Sequence, residues 1–189
     1  MQTSDADALI VVDVQNDFCP GGAVPVDGGG AVVPPINRAM TRFEHIVFTR
    51  DWHPANHCSF SGTPESREGG WPAHCVQNSP GAEFCGGLRV PLDAYVVDKG
   101  IDPDKEAYGA FEGTDLAEEL RRRGIARVFI AGLATDYCVR ATALGAIEAG
   151  FETVLIEDGC RGVAEDTTRA ALDDMAQAGV QTCRSGDLV

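Results

Sequence analysis

Ala8-Leu-Ile-Val-Val-Asp-Val14 is a short, nearly continuous apolar run, the pattern of a strand buried on both faces. Working outward, similar runs recur at 45–49, 94–97, 127–132 and 153–156, with a weaker one near 180–183. Helical patterns over 31–43, 114–123, 136–149 and 165–178 fall between them. The last three begin near Thr or Asp and end on Gly124, Gly150 and Gly179. Strand alternating with helix predicts crossover units. The expected fold is therefore α/β: a three-layer α/β/α arrangement around a roughly six-stranded, mainly parallel sheet. A chain of 189 residues suits a single domain over 1–189. Gly28-Gly-Gly30 lacks dinucleotide-fingerprint spacing and reads as a turn before the helix that holds Pro34 and Pro35.

Composition narrows the function. Lys and Arg number 15 against 29 Asp and Glu, a net charge of −14. Nucleic acid is excluded on that balance, because phosphate neutralisation needs clustered cations. The one tight basic cluster, 121–123, ends a helical pattern, where cations complement the helix dipole. An anionic membrane surface is disfavoured for the same reason, and no apolar run approaches the roughly 18 residues of a membrane helix. The first residues carry no basic leader region, so a cytoplasmic protein is expected. Seven Cys occur without a CxxC pair, which speaks against a zinc ribbon or a thioredoxin-type pair. In a reducing compartment most should be buried, idle thiols, and one is free to be a nucleophile.

Parallel sheets place their ligands beyond the carboxyl ends of the strands. Asp13, Asp51 and Lys99 end three of the runs, and the fourth leads through Gly132-Leu-Ala-Thr-Asp-Tyr into Cys138. A thiol at a helix start has its pKa lowered, a carboxylate can take its proton, and an ammonium can keep that carboxylate charged. Asp13, Lys99 and Cys138 thus form a candidate acyl-transfer set. On these residues alone, a structural ion pair beside a quietly packed thiol is the favoured reading.

Residues 51–91 break the rhythm and read as an ordered binding loop, with both Trp and His53, His57 and His74. Asp51 and His53 offer oxygen and nitrogen donors for a divalent metal, and His57 or His74 a third. Cys58 and Cys75 adjoin two of the histidines as alternative ligands. Phe18, Trp71, Tyr108, Phe111 and Tyr137 flank these positions and suit a flat heteroaromatic ligand.

Asp13-Val-Gln-Asn-Asp-Phe18, Arg50-Asp-Trp-His-Pro-Ala-Asn-His57, Trp71-Pro-Ala-His-Cys75, Asp98-Lys-Gly100 and Ala131-Gly-Leu-Ala-Thr-Asp-Tyr-Cys-Val139 resemble, in order, the motifs of the nicotinamidase/pyrazinamidase family, within the isochorismatase-like cysteine hydrolases. The resemblance implies an amidohydrolase that converts nicotinamide to nicotinate and ammonia, and pyrazinamide to pyrazinoate, through a thioester, in NAD salvage. It implies Asp13 as proton shuttle, Lys99 as its partner and Cys138 as nucleophile. The backbone amides of Ala134 and Cys138 become an oxyanion hole, with a cis peptide at Leu133–Ala134. Asp51, His53 and His74 become ligands of one divalent metal, zinc first with iron or manganese as alternatives, and His57 a further candidate. Phe18, Trp71, Tyr108 and Tyr137 would hold the ring. The metal should share a rim with Cys138, about one pyridine ring away. A monomer and a homo-oligomer fit equally. Rival readings are a metal-free isochorismatase-like or N-carbamoyl amide hydrolase and a non-enzymatic binding module.

Overall fold

A computed structural model describes residues 1–61 and 70–189. Its centre is β1 (Asp7–Val12), six residues buried along their whole length. On one side β1 pairs with β2 (His45–Asp51), which pairs with β3 (Tyr95–Lys99). On the other side it pairs with β4 (Arg127–Leu133), followed by β5 (Glu152–Arg161) and β6 (Gln181–Cys183). Every pairing is parallel, and the order is β3-β2-β1-β4-β5-β6. The chain winds outward from β1 to β3, then crosses to β4 and winds outward the other way. The reversal lies between β1 and β4, and in open α/β sheets that is where a crevice opens beyond the strand ends.

Four α-helices make the crossovers: α1 (Val33–Ala39), α2 (Leu116–Arg122), α3 (Arg140–Glu148) and α4 (Glu165–Gln177). Right-handed connections put α1 on one face and α3 with α4 on the other. The α4 sequence shows why it docks as it does: Ala171 and Met175, four apart, are buried, while most of its other residues face water.

Three elements differ from the expected pattern. The 31–43 helix is α-helical only over Val33–Ala39, with tight 3-10 turns at Gly29–Val32 and Met40–Arg42. Pro34 and Pro35 are tolerated there because they occupy the first turn, whose N–H groups have no helical partner. The 136–149 helix starts as a π-turn over Thr135–Val139, which carries Cys138. Strand β5 runs to Arg161 rather than stopping at 156, and its register to β4 shifts between Ile130 and Gly132. At that shift only glycine fits: a Cβ on Gly132, φ +134°, would lie 2.0 Å from the Val12 carbonyl oxygen.

No disulfide forms among the described residues, and six of the seven cysteines are buried. Among the described residues no helix is long and apolar enough to cross a membrane.

Candidate active site

Three strand ends and one turn bring the charged groups together. Asp13 follows β1 with φ +48°, a conformation that turns it off the strand. Lys99 ends β3, and Asp51 ends β2 directly opposite it in register. All three are buried. Nζ of Lys99 lies 2.8 Å from Oδ2 of Asp13, donates a short hydrogen bond to Oδ1 of Asp51, and lies 3.5 Å from Sγ of Cys138. Thr49 donates to Oδ1 of Asp13 at 2.6 Å. Oδ2 of Asp13 is buried and faces the Lys99 ammonium on the side toward Cys138.

The charges shape one another. Burial raises the Asp13 carboxyl above the usual carboxylate range, Lys99 offsets this in part, and Asp51 reinforces it. Burial also works against Asp51, but Lys99 and His53 overcome it and hold that carboxyl below the usual range. Burial would strip the proton from Lys99, yet Asp13 and Asp51 keep its ammonium well above the ordinary lysine value. The Cys138 thiol is pushed up by burial, with Lys99 pulling the other way.

Asp51 also faces the loop. Its Oδ2 lies 3.6 Å from Nε2 of His53 and 4.0 Å from Nε2 of His74. Nδ1 of His53 is 2.9 Å from the Gly100 carbonyl, and Nδ1 of His74 is 2.8 Å from that of Pro72. A carbonyl only accepts, so each Nδ1 carries the hydrogen and each Nε2 keeps its lone pair. Two bare imidazole nitrogens and a carboxylate oxygen, all within 4.8 Å of one another, form a donor set that fits a divalent metal ion. Gly100 makes the His53 bond possible, since a Cβ there would lie 2.4 Å from the ring.

His57 stands outside this trio. Its Nε2 donates to the Lys105 carbonyl at 3.0 Å, its Nδ1 accepts from the Ser59 hydroxyl at 2.6 Å, and its ring stacks 4.2 Å from that of His53. Neither Cys58 nor Cys75 belongs to the donor group. The Asp51 carboxylate also lies within 4.8 Å of donor atoms of both Asp13 and Cys138.

The cleft above Cys138 and Asp51 is lined by Phe18, Trp71, His74, Tyr108, Ala134 and Tyr137. The Trp71 indole donates to the Tyr108 hydroxyl at 3.2 Å, and the Trp71 and Tyr137 rings meet edge-on at 5.1 Å. Phe111 does not join them; it packs against Phe151 and beside Gly145 of α3. The peptide Leu133–Ala134 is cis, as the resemblance implies.

The isochorismatase domain pattern matches residues 7–187. A nicotinamidase/pyrazinamidase of Mycobacterium tuberculosis is 43% identical over 184 residues, covering 92% of this chain and 96% of that protein. The chain belongs to the nicotinamidase family. Among solved structures, this family member is similar to the pyrazinamidase of Pyrococcus horikoshii in complex with zinc, at 49% identity and TM-score 0.87, over 95% of this chain and 99% of that one. It is also similar to an L. infantum protein in complex with nicotinate, at 39% identity and TM-score 0.91, over 100% and 98%.

Several nicotinamidase site residues went unread in the sequence. Thr49 is one, an ordinary strand residue without a local signal. Val24, Val26 and Val163 complete the cleft walls. Gln15 donates to the carbonyls of Asp51 and Ala82 and accepts from the Asp51 N–H. Asp17 accepts from the N–H of Cys75 at 2.7 Å and of Ala23 at 3.1 Å. Both lie inside the 13–18 motif, where polar residues directly after a buried strand were the available signal.

Proposed function

We propose that this chain is a metal-containing cysteine amidohydrolase that converts nicotinamide to nicotinate and ammonia, and pyrazinamide to pyrazinoate, in NAD salvage. The observation that carries the reading is the position of one ammonium: Lys99 touches Asp13, Asp51 and Cys138 together, joining a nucleophile set to a metal-donor set. That donor set argues against a metal-free amide hydrolase.

Asp51, His53 and His74 hold the metal, zinc before iron or manganese, and His57 braces His53 from behind. A divalent ion held there would supply Lewis-acid anchorage for the ring nitrogen of the substrate, directly or through water. Phe18, Trp71, Tyr108 and Tyr137 hold the ring. The thiol proton of Cys138 moves to the Asp13 carboxylate as sulfur attacks the carboxamide carbon. Its raised pKa makes Asp13 a willing acceptor. The amides of Ala134 and Cys138 receive the developing oxyanion. Asp13 returns the proton to the nitrogen as the C–N bond breaks, releasing ammonia and leaving a thioester. Water, deprotonated by Asp13, then cleaves the thioester to nicotinate and restores the thiol. The whole chain, 1–189, acts as one hydrolase domain in the cytoplasm.

The test is ammonia release from nicotinamide by purified protein with its metal content measured, before and after chelation. Turnover that falls with the metal and returns on zinc addition is the expected result. Full turnover in verified metal-free protein, or no turnover in metal-replete protein, overturns the reading.

A further inference from the structure

Val163 is the one cleft-lining residue that belongs to the class of exposed large side chains, at 40% exposure, so it forms the wall at the cleft mouth. Nothing in its own segment fixes it. The helix that follows, α4, has Ala164 at its N-cap, a residue that offers no side-chain cap of its own. The cap comes from another element. Asp136, two residues before Cys138, accepts from the Val163 N–H at 2.9 Å through Oδ1, and from the Ala164 N–H at 3.3 Å and the Thr167 hydroxyl at 2.5 Å through Oδ2. A carboxylate placed against free amides and the positive end of a helix is bound strongly. Space is also tight: a Cβ on Gly162 would lie 1.7 Å from the Thr168 hydroxyl and 3.2 Å from Oδ1 of Asp136. The turn that presents the thiol and the segment that presents Val163 are therefore one clamped unit.

We propose that Asp136 is a positioning residue that sets substrate selectivity, fixing Val163 as the outer wall of the ring pocket so that single-ring carboxamides without added ring bulk are preferred. The inference rests on the function proposed above, since it concerns which carboxamides that site takes. Asp136 reaches the pocket only through the Val163 segment, and its effect should fall on binding and discrimination rather than on the sulfur.

The test compares nicotinamide with 5-methylnicotinamide in wild type, Asp136→Ala, Asp136→Asn and Val163→Ala, alongside the rate of Cys138 alkylation by iodoacetamide. One methyl group against a fitted wall is worth about tenfold in discrimination. Asp136→Ala and Val163→Ala should each lower the kcat/KM ratio of nicotinamide to the methylated amide by about tenfold. In Asp136→Ala the nicotinamide KM should rise, with kcat and alkylation rate within about threefold of wild type. Asp136→Asn keeps an oxygen for the Val163 amide and should lose a smaller part of the discrimination; it carries the test if Asp136→Ala does not fold. An unchanged ratio in Val163→Ala, or in whichever Asp136 variant folds, overturns the proposal. So does a fall in kcat and alkylation rate at unchanged KM, which would assign Asp136 to the thiol turn. Wild type inactive on both amides would instead defeat the functional reading.

Discussion

On the strand side of the cleft, Asp13 after β1 and Cys138 on the turn that follows β4 flank the reversal of the sheet, and Lys99 reaches them from the end of the edge strand β3. On the loop side, His53, Trp71 and His74 ride on irregular backbone. That backbone is tied down by isolated bonds: His53 N–H to the Cys75 carbonyl, Gln77 N–H to the His53 carbonyl, Cys75 N–H to the Asp17 carboxylate. The strand side is thus placed by a cooperative ladder, the loop side by individual side chains. Loss of a buried charge on the strand side should damage chemistry and fold together, whereas errors on the loop side should degrade metal and substrate binding in steps. Asp51 belongs to both, facing Lys99 with one oxygen and the histidines with the other.

The largest effect should come from Cys138→Ala. With the only thioester-forming atom gone, nicotinamide turnover should fall on the order of 10⁴-fold or more. Trading a buried thiol for a methyl should leave the thermal transition within a few degrees. Rapid quench of wild type should show a nicotinoyl adduct on Cys138 by mass spectrometry. An active Cys138→Ala enzyme would end the nucleophile assignment.

Lys99→Met comes next, and it separates charge from volume. Removing the ammonium strands two buried carboxylates, and breaking a buried pair this way costs about 3–5 kcal/mol. At about 2–4 °C per kcal/mol for a chain of this size, the melting temperature should drop by roughly 10 °C. The pH profile should move too. In the proposed mechanism charged Asp13 is the base, so activity rises with pH through its pKa. Burial already puts that value above the usual carboxylate range, with Lys99 holding it down in part. The acid limb of kcat/KM in wild type should therefore lie above about pH 4, and in Lys99→Met higher still. Unchanged melting and an unmoved limb would make Lys99 a bystander.

His53→Ala or His74→Ala should act on the other side alone. Metal content by elemental analysis and nicotinamide turnover should both collapse, while iodoacetamide still alkylates Cys138 at near the wild-type rate. Metal retained at full stoichiometry after both histidines are replaced would break the comparison.

Much of this division was legible before any coordinates. The continuous apolar runs announced buried strands, and the rule that ligands gather beyond strand ends singled out Asp13, Asp51 and Lys99. What was not legible had physical reasons. Residues 157–161, Glu-Asp-Gly-Cys-Arg, read as a loop, yet they extend β5 because Gly132 lets β4 press against β1 and the register shift carries pairing onward. Phe111 looked like its aromatic neighbours, since composition does not tell which way a turn points a ring. The Lys99–Asp51 contact depends on cross-strand register, which a single sequence does not print. The Asp136 clamp spans 28 positions to Ala164 and has no local signature at either end.

The smallest expected effect tests the edge of the loop side. Sequence resemblance made His57 a further ligand candidate, but both of its ring nitrogens are occupied, by the Lys105 carbonyl and the Ser59 hydroxyl, and only its ring face meets His53. Its contribution is then to hold the His53 ring in place. Groups that orient a metal ligand cost about 10–100-fold in affinity when removed, and a stacking contact belongs at the lower end because His53 keeps its hydrogen bond to the Gly100 carbonyl. His57→Ala should therefore weaken zinc binding by about tenfold in a competitive chelator titration, with turnover restored by added zinc. His57→Phe, which keeps a ring but no donor, should fall between wild type and His57→Ala. If His57→Phe instead loses zinc as completely as His53→Ala, the imidazole of His57 is a ligand in the loaded enzyme, and the loop must rearrange around the metal to release it from Lys105.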